Sequence, residues 1–95
     1  MASVKRRLYT GNEWQLGHAL GYQRGKLIAN AATPLQAASY ERATLAIIEA
    51  VGDYIFEDDA AAYDSRGFYA NGVREGQRYA EDEAAREYGH EAARA

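Results

Sequence analysis

Two histidines, His18 and His90, and fourteen carboxylates are the side chains of this 95-residue sequence best equipped for chemistry. "EYGH" sets Glu87 three residues before His90. Di-iron carboxylate bundles use that spacing to aim a glutamate and a histidine at a metal pair from one helix face. Such a centre needs a second Glu-x-x-His, and His18 has Gln15 where the second acid belongs. The motif therefore reads as a solvated helix end. The acids between 53 and 64 invite a calcium loop, which requires oxygen ligands at alternate positions, a central glycine and a closing glutamate. "DDAAAYDSRG" puts alanines at the ligand positions. The chain has no cysteine, which excludes disulfides, thiolate zinc sites and iron–sulfur clusters. No serine, threonine or histidine arrangement suggests a nucleophile with its base. These residues predict a protein that is not an enzyme and uses neither a metal nor a cofactor.

"GHALGYQRGKLIANA", residues 17–31, offers a glycine-rich alternative. A P-loop cradles phosphates with two glycines that have four residues between them, and it follows its lysine with Ser or Thr. "GYQRGK" has three intervening residues, and Leu27 follows Lys26. Gly17, Gly21, Gly25 and Ala29 instead recur every four residues, as they would along one helix face. A second stripe, Gly72, Gly76, Ala80 and Ala84, has the same spacing. Residues 19–29 align without gaps to 70–80, matching Gly21 to Gly72 and Gly25 to Gly76. Each glycine inside a helix costs roughly 1 kcal/mol relative to alanine. Five of them are tolerable only if the bare faces let another backbone come close and gain dispersion and Cα–H···O contacts. The two stripes are therefore expected to pack on each other or on a second copy. Because so short a chain builds a thin core, a homodimer is expected.

Two charged surfaces remain. Glu49, Asp53, Glu57, Asp58, Asp59 and Asp64 follow one another without an intervening base, flanked by Tyr54, Phe56, Tyr63, Phe68 and Tyr69. Carboxylates interleaved with rings suit a basic groove on another protein, since they can stand in for phosphates and stacked bases. Asp53, Tyr54, Glu57, Asp58, Asp59, Tyr63, Asp64 and Tyr69 are the predicted partner-binding set. The alternative is nucleic-acid or nucleotide binding by Lys5, Arg6, Arg7, Arg24 and Lys26, with Tyr9, Trp14 and Tyr22 among them. Residues 1–42 carry six bases against Glu13 and Glu41, whereas residues 43–95 carry five arginines against twelve acids. A split of that kind steers association.

Helices must position all of this. Alanine is the commonest residue, glutamate and arginine are frequent, and Pro34 is the single proline, a composition with few forced breaks. Residues 1–9 read as a basic arm, 10–90 as one helical domain and 91–95 as a frayed end. Thr10 and Glu13 form a capping-box pattern for a first helix from about 11 to 32. Thr33, Pro34 and Gln36 repeat it for a second helix running into the fifties. Its apolar stripe predicts burial of Leu35, Ala38, Leu45, Ile48, Val51 and Ile55, broadened by Ala46, Ile47 and Tyr54. Asp64 or Ser65 can cap a third helix that stops near Tyr88, with Gly89 as a left-handed terminator. The fold class expected is all-α: a three-helix bundle or an elongated helical hairpin, dimeric.

The N-terminus lacks the apolar run of a signal peptide. The greasiest stretch, "LAIIEAVGDYIF", contains Glu49 and Asp53, so no membrane partner is expected and a cytoplasmic location is. Together these readings predict a small, stoichiometric protein-binding factor. Its size and acidic face suit an inhibitor of a nucleic-acid-binding host protein, of the anti-defence kind that phages and mobile elements encode. A structural oligomer component is the further alternative.

Overall fold

The computed structural model describes residues 12–56 and 63–94, with side chains described over 12–56 and 66–87. Three helices follow one another: α1 (Asn12–Ala29), α2 (Pro34–Phe56) and α3 (Tyr63–Arg94). Among the described residues there is no strand. The predicted arm and the Thr10 cap lie outside the described residues. The chain extends 57 × 25 × 16 Å with a radius of gyration of 15.9 Å, against about 12.4 Å for a compact chain of this length.

The α1–α2 junction is built by its caps. The Thr33 hydroxyl accepts the Gln36 amide N–H at 3.0 Å, and the Thr33 carbonyl accepts from Ala37 at 3.0 Å. Gln36 reaches back one residue further than the usual box, its Oε1 accepting the Ala32 amide at 2.7 Å. The Gln36 amide, which the helix leaves unpaired, and the Ala32 amide just ahead of the helix are thereby satisfied. The four-residue turn reverses the chain, so α2 runs antiparallel to α1.

The central feature is a pair of parallel helices with almost no side chains between them. Gly17, Gly21, Gly25, Gly72, Gly76 and Ala80 are all buried. A Cβ placed on Gly17 would overlap the Tyr69 carbonyl oxygen, and one on Gly21 the Val73 carbonyl oxygen. The opposite helix reciprocates: a Cβ on Gly72 would overlap the Trp14 carbonyl oxygen, and one on Gly76 that of His18. A Cβ on Gly25 would sit 2.8 Å from the Ala80 methyl and 2.8 Å from the Gln77 carbonyl oxygen. Contacts that advance along both chains together define a parallel pair. They also define a local two-fold in which Gly17 corresponds to Gly72, Gly21 to Gly76 and Gly25 to Ala80. The gap-free sequence alignment is one helical turn out of this register, because it matches Gly21 to Gly72. Ala29 sits exposed beyond the close contact.

Helix α2 lies across this pair. Its inner edge places Ile48 and Phe56 with Tyr69 in the core, and Leu20, Val51, Ile55 and Val73 pack around them half-buried. Several residues expected inside are outside: Leu35 is 84% exposed, Tyr54 68%, Ile47 53% and Leu45 45%, and Ala46 is exposed too. The reason is geometric. Two helices in backbone contact present a narrow ridge, and a third helix resting on it buries one side only.

The ends of α3 also differ from expectation. The helix begins at Tyr63, so Asp64 and Ser65 lie in its first turn rather than ahead of it. It passes through Gly89 and ends at Arg94. One glycine costs about 1 kcal/mol, less than a run of Glu, Ala and Arg can support on either side.

Candidate protein-binding surface

The aromatic and acidic residues around α2 and α3 separate into a core and a rim. Tyr69 belongs to the core: it is 6% exposed, its hydroxyl donates to the Ile48 carbonyl at 2.8 Å, and its ring stands edge-on to Phe56 at 5.9 Å. The ring also fills the space a side chain at Gly52 would need, lying 3.2 Å from a Cβ placed there. Burial pushes the Tyr69 hydroxyl above its usual pKa of 10.0, because the phenolate would lose its hydration. Tyr69 was expected on a contact surface and instead holds α2 to α3. Phe56, 1% exposed, is likewise core and not a flanking ring. Its position was legible as Ile48 plus eight and Gly52 plus four, on one helix face.

The rim is open. A groove of about 370 Å³ runs between α2 and α3, lined by Ile48, Gly52 and Val73 at its floor and by Glu49, Asp53 and Arg66 at its edge. Glu49 and Asp53 are exposed. Tyr54 and Phe68 are 68% and 54% exposed. Arg66 is already engaged. One guanidinium nitrogen donates to the Phe56 carbonyl at 3.0 Å, and the group lies 4.9 Å over the Phe56 ring. A cation there complements the negative C-terminal end of α2. Neither Phe68 nor Arg66 is in the predicted site; Arg66 edges this groove because α3 starts early enough to bring its first turns beside Phe56. Glu57, Asp58 and Asp59 lie outside the described residues. Tyr63 and Asp64 belong to the first turn of α3, with side chains outside the described set.

The alternative basic set is divided in the same way. Lys5, Arg6 and Arg7 lie outside the described residues. Arg24 ties the three helices together. Its Nε donates to Gln77 at 3.1 Å, its Nη1 to the Glu41 carbonyl at 2.9 Å and to the Thr44 hydroxyl at 3.2 Å, and its Nη2 lies 3.9 Å from the Glu41 carboxylate. With its side chain only 12% exposed, it is a structural residue and not a free phosphate contact. Lys26 is exposed but sits 3.8 Å from Glu83, and its ammonium is 3.3 Å from the Tyr22 hydroxyl, which itself donates to Glu83 at 2.7 Å. The hydrogen bond with Tyr22 and the charges of Tyr22, Glu83 and Glu87 raise the Lys26 pKa above 10.5. Trp14, His18, Tyr79 and Tyr22 form a row beside it with centroid spacings of 4.9, 6.2 and 5.9 Å.

Among the described residues no three His, Asp or Glu side chains converge as a metal cluster, and no helix is long and apolar enough to cross a membrane. Among the described residues the arrangement is all-α, three helices whose clefts are lined by packing residues and rimmed by charge. No protein-family model, curated protein or solved structure shows a significant match to it.

Proposed function

We propose that this protein is a non-enzymatic binding factor that acts by stoichiometric contact, through the acidic and aromatic rim of the α2–α3 groove, with a basic segment of another protein. The observation that carries this reading is the apolar-floored groove edged by exposed Glu49 and Asp53, with exposed Tyr54 and Phe68 elsewhere on the same two helices. Rings supply contact area at low entropic cost, and carboxylates at the rim select and steer a cationic partner. A protein that itself binds nucleic acid has such a cationic surface. An inhibitor that occupies it, of the type phages and mobile elements use against their hosts, is the role we assign. We further propose that the working form is a homodimer. Nucleic-acid binding is less well supported, because Arg24 and Lys26 each face a carboxylate.

The test is a titration of the full chain into a fluorescently labelled arginine-rich peptide and, separately, into labelled single-stranded DNA. Peptide binding that weakens with salt and is lost in Glu49→Lys/Asp53→Lys supports the reading. Peptide binding indifferent to those reversals, no peptide binding at low salt, or retardation of the DNA in a gel shift overturns it.

A further inference from the structure

The α2–α3 groove already holds one cation of this chain, and the way it is held shows what kind of cation fits. Arg66 edges the groove from the first turns of α3. Its guanidinium donates to the Phe56 carbonyl at 3.0 Å and lies 4.9 Å over the Phe56 ring. The last carbonyls of a helix have no partner within it and form its negative end. A planar cation with several donors can cover a ring and donate to a carbonyl beside it, whereas an ammonium is a point charge. The Phe56 ring and carbonyl together therefore make a guanidinium seat.

Two carboxylates edge the same groove. Glu49 and Asp53 stand one helical turn apart on α2, and both are exposed. Arg66 lies within ion-pair distance of neither, and so does every other cation among the described residues. The groove thus sets two carboxylates and a helix end against one guanidinium. Its floor includes Ile48 and Val73, an apolar surface on which the methylene stem of a long basic side chain can lie. Arg66 is itself lightly tethered: it is exposed, and one hydrogen bond and one ring contact hold it.

We infer that the groove takes an arginine side chain of a basic partner segment, and that Arg66 is an internal stand-in that yields the Phe56 seat to it. This rests on the protein-binding reading above and names the side chain recognised and the contact that regulates it. The partner's guanidinium replaces that of Arg66 on the Phe56 ring and carbonyl. Glu49 and Asp53 draw the segment in and face its neighbouring basic residues. Arg66 must leave, because two guanidinium groups side by side repel. While it stays, it lowers the fraction of molecules open to the partner, and the apparent affinity falls by that fraction.

The test compares a labelled arginine-rich peptide with its all-lysine counterpart of equal length, each titrated with the full chain. Arg66→Ala removes a positive charge, which favours both peptides alike, and it opens the seat, which favours arginine. The ratio of the two dissociation constants separates these effects. The arginine peptide should gain about two- to fivefold over the lysine peptide in Arg66→Ala. If circular dichroism shows that Arg66→Ala does not fold, Arg66→Gln should shift the ratio the same way. Equal gains for both peptides, or weaker binding of the arginine peptide, overturn the inference. They leave the protein-binding reading standing as long as binding is still lost in Glu49→Lys/Asp53→Lys. Failure of both peptides to bind the unmutated chain at low salt overturns the two together.

Discussion

The α1–α3 contact and the outer face of α2 are both built from small residues at helical spacing, yet they behave oppositely. In the first, Gly17, Gly21, Gly72 and Gly76 bring carbonyl oxygens so close that a methyl group has no room. In the second, Ala43 and Ala50 face outward beside Ile47 and Tyr54. The difference teaches that spacing marks a face, whereas the size of the side chain marks how near the neighbour comes. Hydrogen at the contact point signals a backbone against a backbone, and a methyl group signals a side-chain layer.

The sharpest way to break this comparison is Gly21→Ala or Gly76→Ala. In an unencumbered helix the change stabilises by up to about 1 kcal/mol. Here the methyl would meet a backbone carbonyl that cannot move independently of its helix, and a loss of about 2–4 kcal/mol is expected. Thermal or urea unfolding followed by circular dichroism measures it; a neutral or stabilising result would mean the two helices can separate at little cost.

A smaller effect is expected where α2 is tied down. Tyr69→Phe removes the hydroxyl that reaches the Ile48 carbonyl and should cost about 1 kcal/mol. Burial raises the Tyr69 pKa in the folded state above its unfolded value of 10.0. The hydroxyl's contribution is therefore complete below that unfolded value and is lost as pH rises through the raised folded one. Urea midpoints for the two proteins should converge in alkali, and a difference that persists unchanged there would detach the effect from this proton.

Gly67 sharpens the comparison from the other side. A Cβ there meets nothing within 4 Å, so Gly67→Ala should stabilise by roughly 0.5–1 kcal/mol. The same substitution thus has opposite signs at Gly21 and Gly67. The smallest effect belongs to the open face of α2. Leu35→Gln, at a residue 84% exposed, should change stability by less than about 0.5 kcal/mol. A larger loss in dilute solution would show that the residue is covered within one chain.

Helix type and approximate limits followed from local physics: a threonine that caps, a proline that starts, and apolar residues that recur every three or four positions. Hydrogen bonds within five residues settle such features, so the chain carries them wherever it is placed. The glycine spacing likewise announced close approach. It could not say that the approach is parallel, within one chain, and shifted by a turn from the register in which the two stretches align. That depends on where a four-residue turn and the segment after Phe56 deliver α3, which no local pattern encodes. The same holds for the candidate surface. Acid and ring were visible together, but Tyr69 and Phe56 turned inward and Tyr54 outward because the glycine-packed pair is narrow and offers α2 a single edge. Hydrophobicity stated which residues prefer to leave water; the width of the ridge beneath them decided which could.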